Sequence, residues 1–213
     1  MKFTKAVLCG SALMAFLAAT SPASAGGRTE RLRGDFAIIG SNVCVNSLAT
    51  LAPSYVPPAG FNSTTLAPNP GPTSVSSNSF NGVITFNGDG TAAFAGRFVS
   101  LGNPGAATAI DATAPSTYSV EADGTLTFVN GTATSTSVAN PGVVTAISGV
   151  PPFVGRVSSD GKSITLGSYD PGVETLTQVV GPFAGLVQTL RICHRAWMGI
   201  RIGKNPGSFG NGD

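Results

Sequence analysis

From residue 34 onward, apolar residues recur at every second position in runs broken by Gly, Pro, Asn and Asp. Phe80, Gly82, Ile84 and Phe86 share one parity before Asp89-Gly90, and Ala92, Phe94, Gly96 and Phe98 share one parity after it. Tyr118 and Val120 precede Asp123-Gly124, and Leu126 and Phe128 follow it; Ile164 and Leu166 follow Asp160-Gly161. Successive side chains of a strand point to opposite faces, so a period of two marks strands with one buried face. Asp-Gly between such runs suits a tight hairpin turn, because Gly accepts positive φ. Two longer segments of the same character open and close the pattern, Gly34 to Asn46 and Leu186 to Ile202, with another near Val173 to Val179. The reading is an all-β, antiparallel up-and-down meander of about eight strands. If its terminal strands meet, it closes into a barrel and leaves no exposed edge; a β-sandwich with the same hairpins is the alternative. The Pro/Ser/Ala/Thr-rich stretches 47–78, 101–115 and 133–152 are expected to be loops or short strands, at one rim.

The turns also repeat. Asn69-Pro70-Gly71, Asn103-Pro104-Gly105 and Asn140-Pro141-Gly142 are each followed by an Asp-Gly twenty residues after the Asn. A degenerate fourth unit opens at Asp170-Pro171-Gly172, giving unit lengths of 34, 37 and 30 residues. Pro presets φ for a turn and Gly supplies the positive φ that follows. A regular alternation of two turn chemistries is what stacked hairpins require.

The first 25 residues follow a different logic. Lys2 and Lys5 precede an apolar run from Ala6 to Ala19, and the segment ends Ala23-Ser24-Ala25. This is the pattern of a secretory signal peptide cleaved between Ala25 and Gly26. The apolar run is fourteen residues long, short of the roughly 20 needed to span a bilayer. Residues 26–213 then form one expected domain, secreted or periplasmic. Lys2 and Lys5 supply the whole-chain charge of +2, so the remaining chain carries ten basic and ten acidic residues. Zero net charge argues against electrostatic binding of nucleic acid or an anionic membrane.

Two cysteines survive cleavage, Cys44 and Cys193. In an oxidising compartment an even pair reads as a disulfide. It would tie the first long strand to the last.

Gly34-Asp35-Phe36 on the first strand resembles the G-x-W opening of lipocalins, with Phe in place of Trp. Arg191 or Arg195 on the last strand resembles the Arg that packs over that aromatic. The chain is therefore similar to bacterial calycin-type barrels. The resemblance implies an eight-stranded barrel able to hold an apolar ligand; fold alone does not fix function.

Catalytic chemistry is sparsely represented. The single histidine, His194, neighbours Cys193, but adjacent strand residues face opposite ways and cannot form a dyad. One His and a committed Cys pair give no ordinary zinc or copper site. Asn87-Gly88-Asp89-Gly90 lacks the further carboxylates of a calcium loop, and no nucleophile-elbow, dinucleotide or P-loop motif occurs. No enzyme activity, metal or cofactor is expected. On the last strand, Arg191, Cys193, Arg195, Trp197 and Arg201 share one face, while Leu190, Ile192, His194, Ala196, Met198 and Ile200 share the other. The first face reads either as the mouth of a ligand site or as arginine stems covering a barrel end. The leading expectation is an exported barrel binding a small apolar ligand lined by Phe86, Phe94, Phe98, Tyr118 and Phe128, with Arg195 and Trp197 at the mouth. The alternative is a structural or cell-envelope interaction protein with a packed interior. An outer-membrane barrel fits less well, since the chain ends Phe209-Gly210-Asn211-Gly212-Asp213 and has three Tyr and one Trp for interfacial girdles.

Amino-terminal sequencing of the protein exported by its own host is expected to begin at Gly26; a first residue of Met1 would remove the signal peptide from this reading.

Overall fold

A computed structural model describes residues 32–51, 60–102, 107–182, 184–185 and 187–203. The signal segment, Asn103-Pro104-Gly105 and Lys204 onward lie outside the described residues. Eleven strands follow in chain order: β1 (Arg33–Leu51), β2 (Thr73–Asn87), β3 (Thr91–Leu101), β4 (Ala107–Val120), β5 (Thr125–Asn130), β6 (Ala133–Ser137), β7 (Asn140–Ser148), β8 (Phe153–Val157), β9 (Ser163–Ser168), β10 (Glu174–Val180) and β11 (Val187–Ile202). The strand pairings are antiparallel.

The sheet closes on itself. β1 pairs with β11 from Asp35↔Ile202 to Leu51↔Val187, completing a ring of eight strands in the order β1-β2-β3-β4-β5-β8-β9-β11. A second route round the ring passes through the other three strands. β4 pairs with β5 over Ser116–Val120 and with β6 over Ile110–Thr113. β11 likewise pairs with β9 over Ala196–Ile200 and with β10 over Gln188–Arg191. Five long strands, β1 to β4 and β11, therefore run the full height. The remaining wall is split into two tiers, β5-β8-β9 below and β6-β7-β10 above, and each tier completes an eight-membered ring.

The expected count of about eight thus describes the ring, while the described residues contain eleven strands. The extra ones, β6 and β7, arise in a stretch expected to be loops or short strands, and β2 and β4 extend into two more such stretches over residues 73–78 and 107–115. Their Thr and Val side chains suit a pleated surface, and the paired neighbours satisfy the backbone groups that a loop would leave open. Where the tiers meet, the ladder on β11 is interrupted. The Ser168 hydroxyl bridges the gap, accepting the Arg195 N–H at 3.0 Å and donating to the Cys193 carbonyl at 3.4 Å.

All three Asp-Gly turns fall at the same end, beneath the lower tier. Gly90, Gly124 and Gly161 adopt φ of 89°, 89° and 66°. Each preceding Asp accepts the N–H two residues on: Asp89 from Thr91 at 2.8 Å, Asp123 from Thr125 at 2.9 Å and Asp160 from Lys162 at 3.0 Å. This side-chain acceptor mimics a backbone turn.

The lower tier is packed solid. Leu32, Phe36, Ile84, Phe86, Leu126, Phe128 and Ile164 are buried to within 2%. Phe36 and Phe86 meet edge to face at 5.3 Å, as do Phe86 and Tyr118 at 4.8 Å. The Tyr118 hydroxyl donates to the Leu32 carbonyl at 2.6 Å and accepts the Gly88 N–H at 3.1 Å, so the ring fills the core while its polar tip ties the Asp89-Gly90 turn to the residue before β1. Above this lies a plate of stacked rings: Trp197 is 4.7 Å from Phe153, 4.9 Å from Phe80 and 5.7 Å from Phe94. Glycines make room for it. A Cβ on Gly40 would lie 2.5 Å from both the Trp197 ring and the Ala196 carbonyl, and one on Gly96 would collide with the Phe80 ring.

Cys44 and Cys193 stand directly opposite in the β1–β11 register and form a disulfide, with Cα atoms 4.1 Å apart and a sequence separation of 149. The double variant Cys44→Ser/Cys193→Ser is expected to lose about 2–5 kcal/mol, read as the shift in chemical denaturation midpoint at constant slope. An unchanged midpoint would mean that the long strand ladder alone holds the ring closed.

Candidate functional site

The upper tier is not filled. Its inward positions include Ala112, Ala133 and Ser135, and these small side chains leave a pocket of about 100 Å³. The aromatic plate forms the floor, with Phe98, Phe153 and Trp197 facing upward. Ile110, Ile147, Val150 and Leu176 supply apolar walls. Asn42, Asn78, Asn130, Arg191 and Arg195 complete the lining.

The arginines come from β11, whose inward face carries Arg191, Cys193, Arg195 and Trp197. Opposite charge arrives from Glu174, the first residue of β10 and fully buried. Its Oε2 accepts the Arg191 Nε–H at 2.8 Å, and its Oε1 forms an ion pair with Arg195 Nη1. The Arg195 side chain is 6% exposed and Arg191 19%. Arg195 Cζ also lies 5.7 Å from the centre of the Phe153 ring, within reach of a cation–π contact. Burial works to raise the Glu174 pKa, but the Arg191 and Arg195 guanidiniums outweigh it and hold the carboxyl below the usual glutamate range. Arg191 is driven down from the ordinary arginine value by burial, with Glu174 opposing; arginine nonetheless stays protonated across the biological range.

Two asparagines are held by their acceptor ends. Trp197 Nε1 donates to Asn42 Oδ1 at 2.9 Å, and the Ser116 hydroxyl donates to Asn130 Oδ1 at 2.9 Å. In each case the amide NH₂ remains as the donor group.

The residues expected at a ligand site divide between the two tiers. Phe98, Arg195 and Trp197 line the pocket. Phe86, Phe94, Tyr118 and Phe128 belong instead to the buried core, packed ring against ring. Large inward side chains fill a narrow ring, so open space appears where the inward residues are small. The arginine that lies over Phe36 is Arg201, with Cζ 5.1 Å from the ring centre, and neither Arg191 nor Arg195. His194 is exposed on the outer face, turned away from Cys193 as strand alternation requires. Glu174, Asn42 and Asn78 were not signalled as site residues by sequence. The available clue was a lone acid at the head of an uncharged strand, in a chain whose last strand carries three inward arginines.

Searches with protein-family models and among curated proteins give no match to this chain.

Glu174→Gln removes one partner of a buried charge network and is expected to cost about 3–5 kcal/mol. The pH dependence follows from the depressed pKa. The contribution of the Glu174 carboxylate is fully present above its unfolded pKa of about 4.3, and is lost as pH falls through the lower folded value. Denaturation profiles of the two proteins between pH 7 and pH 2 should therefore converge in acid; a constant gap would assign the loss to packing.

Proposed function

We propose that the chain is an exported barrel that binds a small molecule in the upper tier, with apolar walls closing round the ligand's body. The observation that carries this reading is the asymmetry of the interior. The lower ring is packed solid below Trp197 and the upper ring is open above it, and the open part joins apolar walls to a few convergent polar groups, the usual composition of a ligand site. A volume of about 100 Å³ has room for several water molecules, so the expected ligand is compact.

Native mass spectrometry of the protein purified gently from its host tests this. A small non-covalent adduct, lost on denaturation, is the expected result. A bare chain mass in every preparation would move the balance to a second reading, an envelope-interaction protein. That alternative has its own support on the outer face of β1 and β11. Ile39 and Met198 are paired there and are 62% and 54% exposed, with Ile200 beside them at 61%. Reversible self-association on size-exclusion chromatography, abolished by Ile39→Lys, is its expected sign.

A further inference from the structure

We propose that the pocket ligand is a monocarboxylate with a short aliphatic or aromatic body, its carboxylate held by Arg191 and Arg195; this rests on the upper-tier pocket being a ligand site. The charge balance points there. Two guanidiniums face one carboxylate, Glu174, leaving a surplus of one positive charge in a largely buried setting. Uncompensated buried charge is costly. The Phe153 face 5.7 Å from Arg195 offsets part of that cost, but it accepts no hydrogen bond in the plane of the guanidinium.

The donors are also uncommitted. Glu174 engages Nε of Arg191 and Nη1 of Arg195. The other guanidinium N–H groups make no hydrogen bond among the described residues. Asn42 and Asn130 have their acceptor oxygens occupied, and both line the pocket. The polar lining is thus rich in donors, and Glu174, which lies outside the lining, is already engaged by both arginines. A carboxylate matches the planar fork of arginine in two parallel bonds. One negative charge cancels a surplus of one, whereas a dianion such as hydrogen phosphate would reverse it. The apolar walls from Ile110, Ile147 and Leu176 require the rest of the ligand to be uncharged.

Matched pairs of probes separate the charge from the body. Calorimetric titration of the mature protein at pH 7 would compare benzoate with benzyl alcohol and hexanoate with hexanol, with sodium chloride and inorganic phosphate as ions lacking an apolar body. At least one carboxylate is expected to bind about tenfold or more tightly than its alcohol, and more tightly than chloride or phosphate. Arg191→Gln should abolish that preference, and Arg191→Lys should restore part of it. Equal affinity for acid and alcohol would overturn the carboxylate assignment and leave the pocket as an apolar site. Chloride or phosphate binding as tightly as the organic acids would also overturn it. Binding of none of the probes would overturn both this inference and the ligand-site reading. The comparison on the unaltered protein decides the matter even if the variants fail to fold.

Discussion

The pairing of β1 with β11 is the constraint on which the other features depend. It closes the ring, and its register decides what the last strand presents to the interior. A slip of one residue would turn every side chain of a strand to the opposite face. The disulfide forbids this, because Cys44 and Cys193 must stand opposite each other with both sulfurs on the same face. Arg191, Arg195 and Trp197 share parity with Cys193, so they point inward with it. The result inverts the usual hydrophobic pattern. Guanidiniums enter the ring while Met198 and Ile200 face out. Closure, charge burial and the apolar outer stripe are therefore one decision, made at a single cross-strand pair.

The interior accommodates that decision by separating its tasks along the ring axis. Below the Trp197 plate, aromatic side chains fill the space and the Asp-Gly turns seal the end. Above it, Ala112, Ala133 and Ser135 are too small to meet across the ring, and the arginines find their counter-charge on β10. Glu174 can serve because β10 starts at the seam between tiers, where its first residue pairs with Arg191. The packed base and the pocket thus share the long strands, and Phe153 and Trp197 belong to both.

Much of this was legible in the chain. Period-two runs marked the strands around Phe80–Phe98 and Tyr118–Phe128, Asp-Gly marked their turns, and the two cysteines joined the ends. The parity of β11 even placed Arg195 and Trp197 on the face of Cys193. Two things were hidden. The split wall depends on β6 and β7, whose Ser/Thr/Ala-rich sequence looks the same in a loop as in a short strand, and on their bridging β4 to the expected β10. The location of the cavity was hidden too. Phe86, Phe94, Tyr118 and Phe128 are prominent because they are large, and for that reason they fill space instead of bounding it. Glu174 could not be assigned, since sequence gives no distance between it and the arginines.

The two-tier wall has a consequence for how such a protein can change. β6, β7 and β10 supply Ala133, Ser135, Ile147 and Leu176 to the pocket lining, and β6 and β10 pair with β4 and β11, which continue into the packed base. Their substitutions alter the shape of the pocket without disturbing the rings beneath Trp197. The lower half is a foundation that tolerates little alteration, and the upper half-wall is a replaceable panel. The pocket's shape can change there while the closure between the first and last strands stays the same.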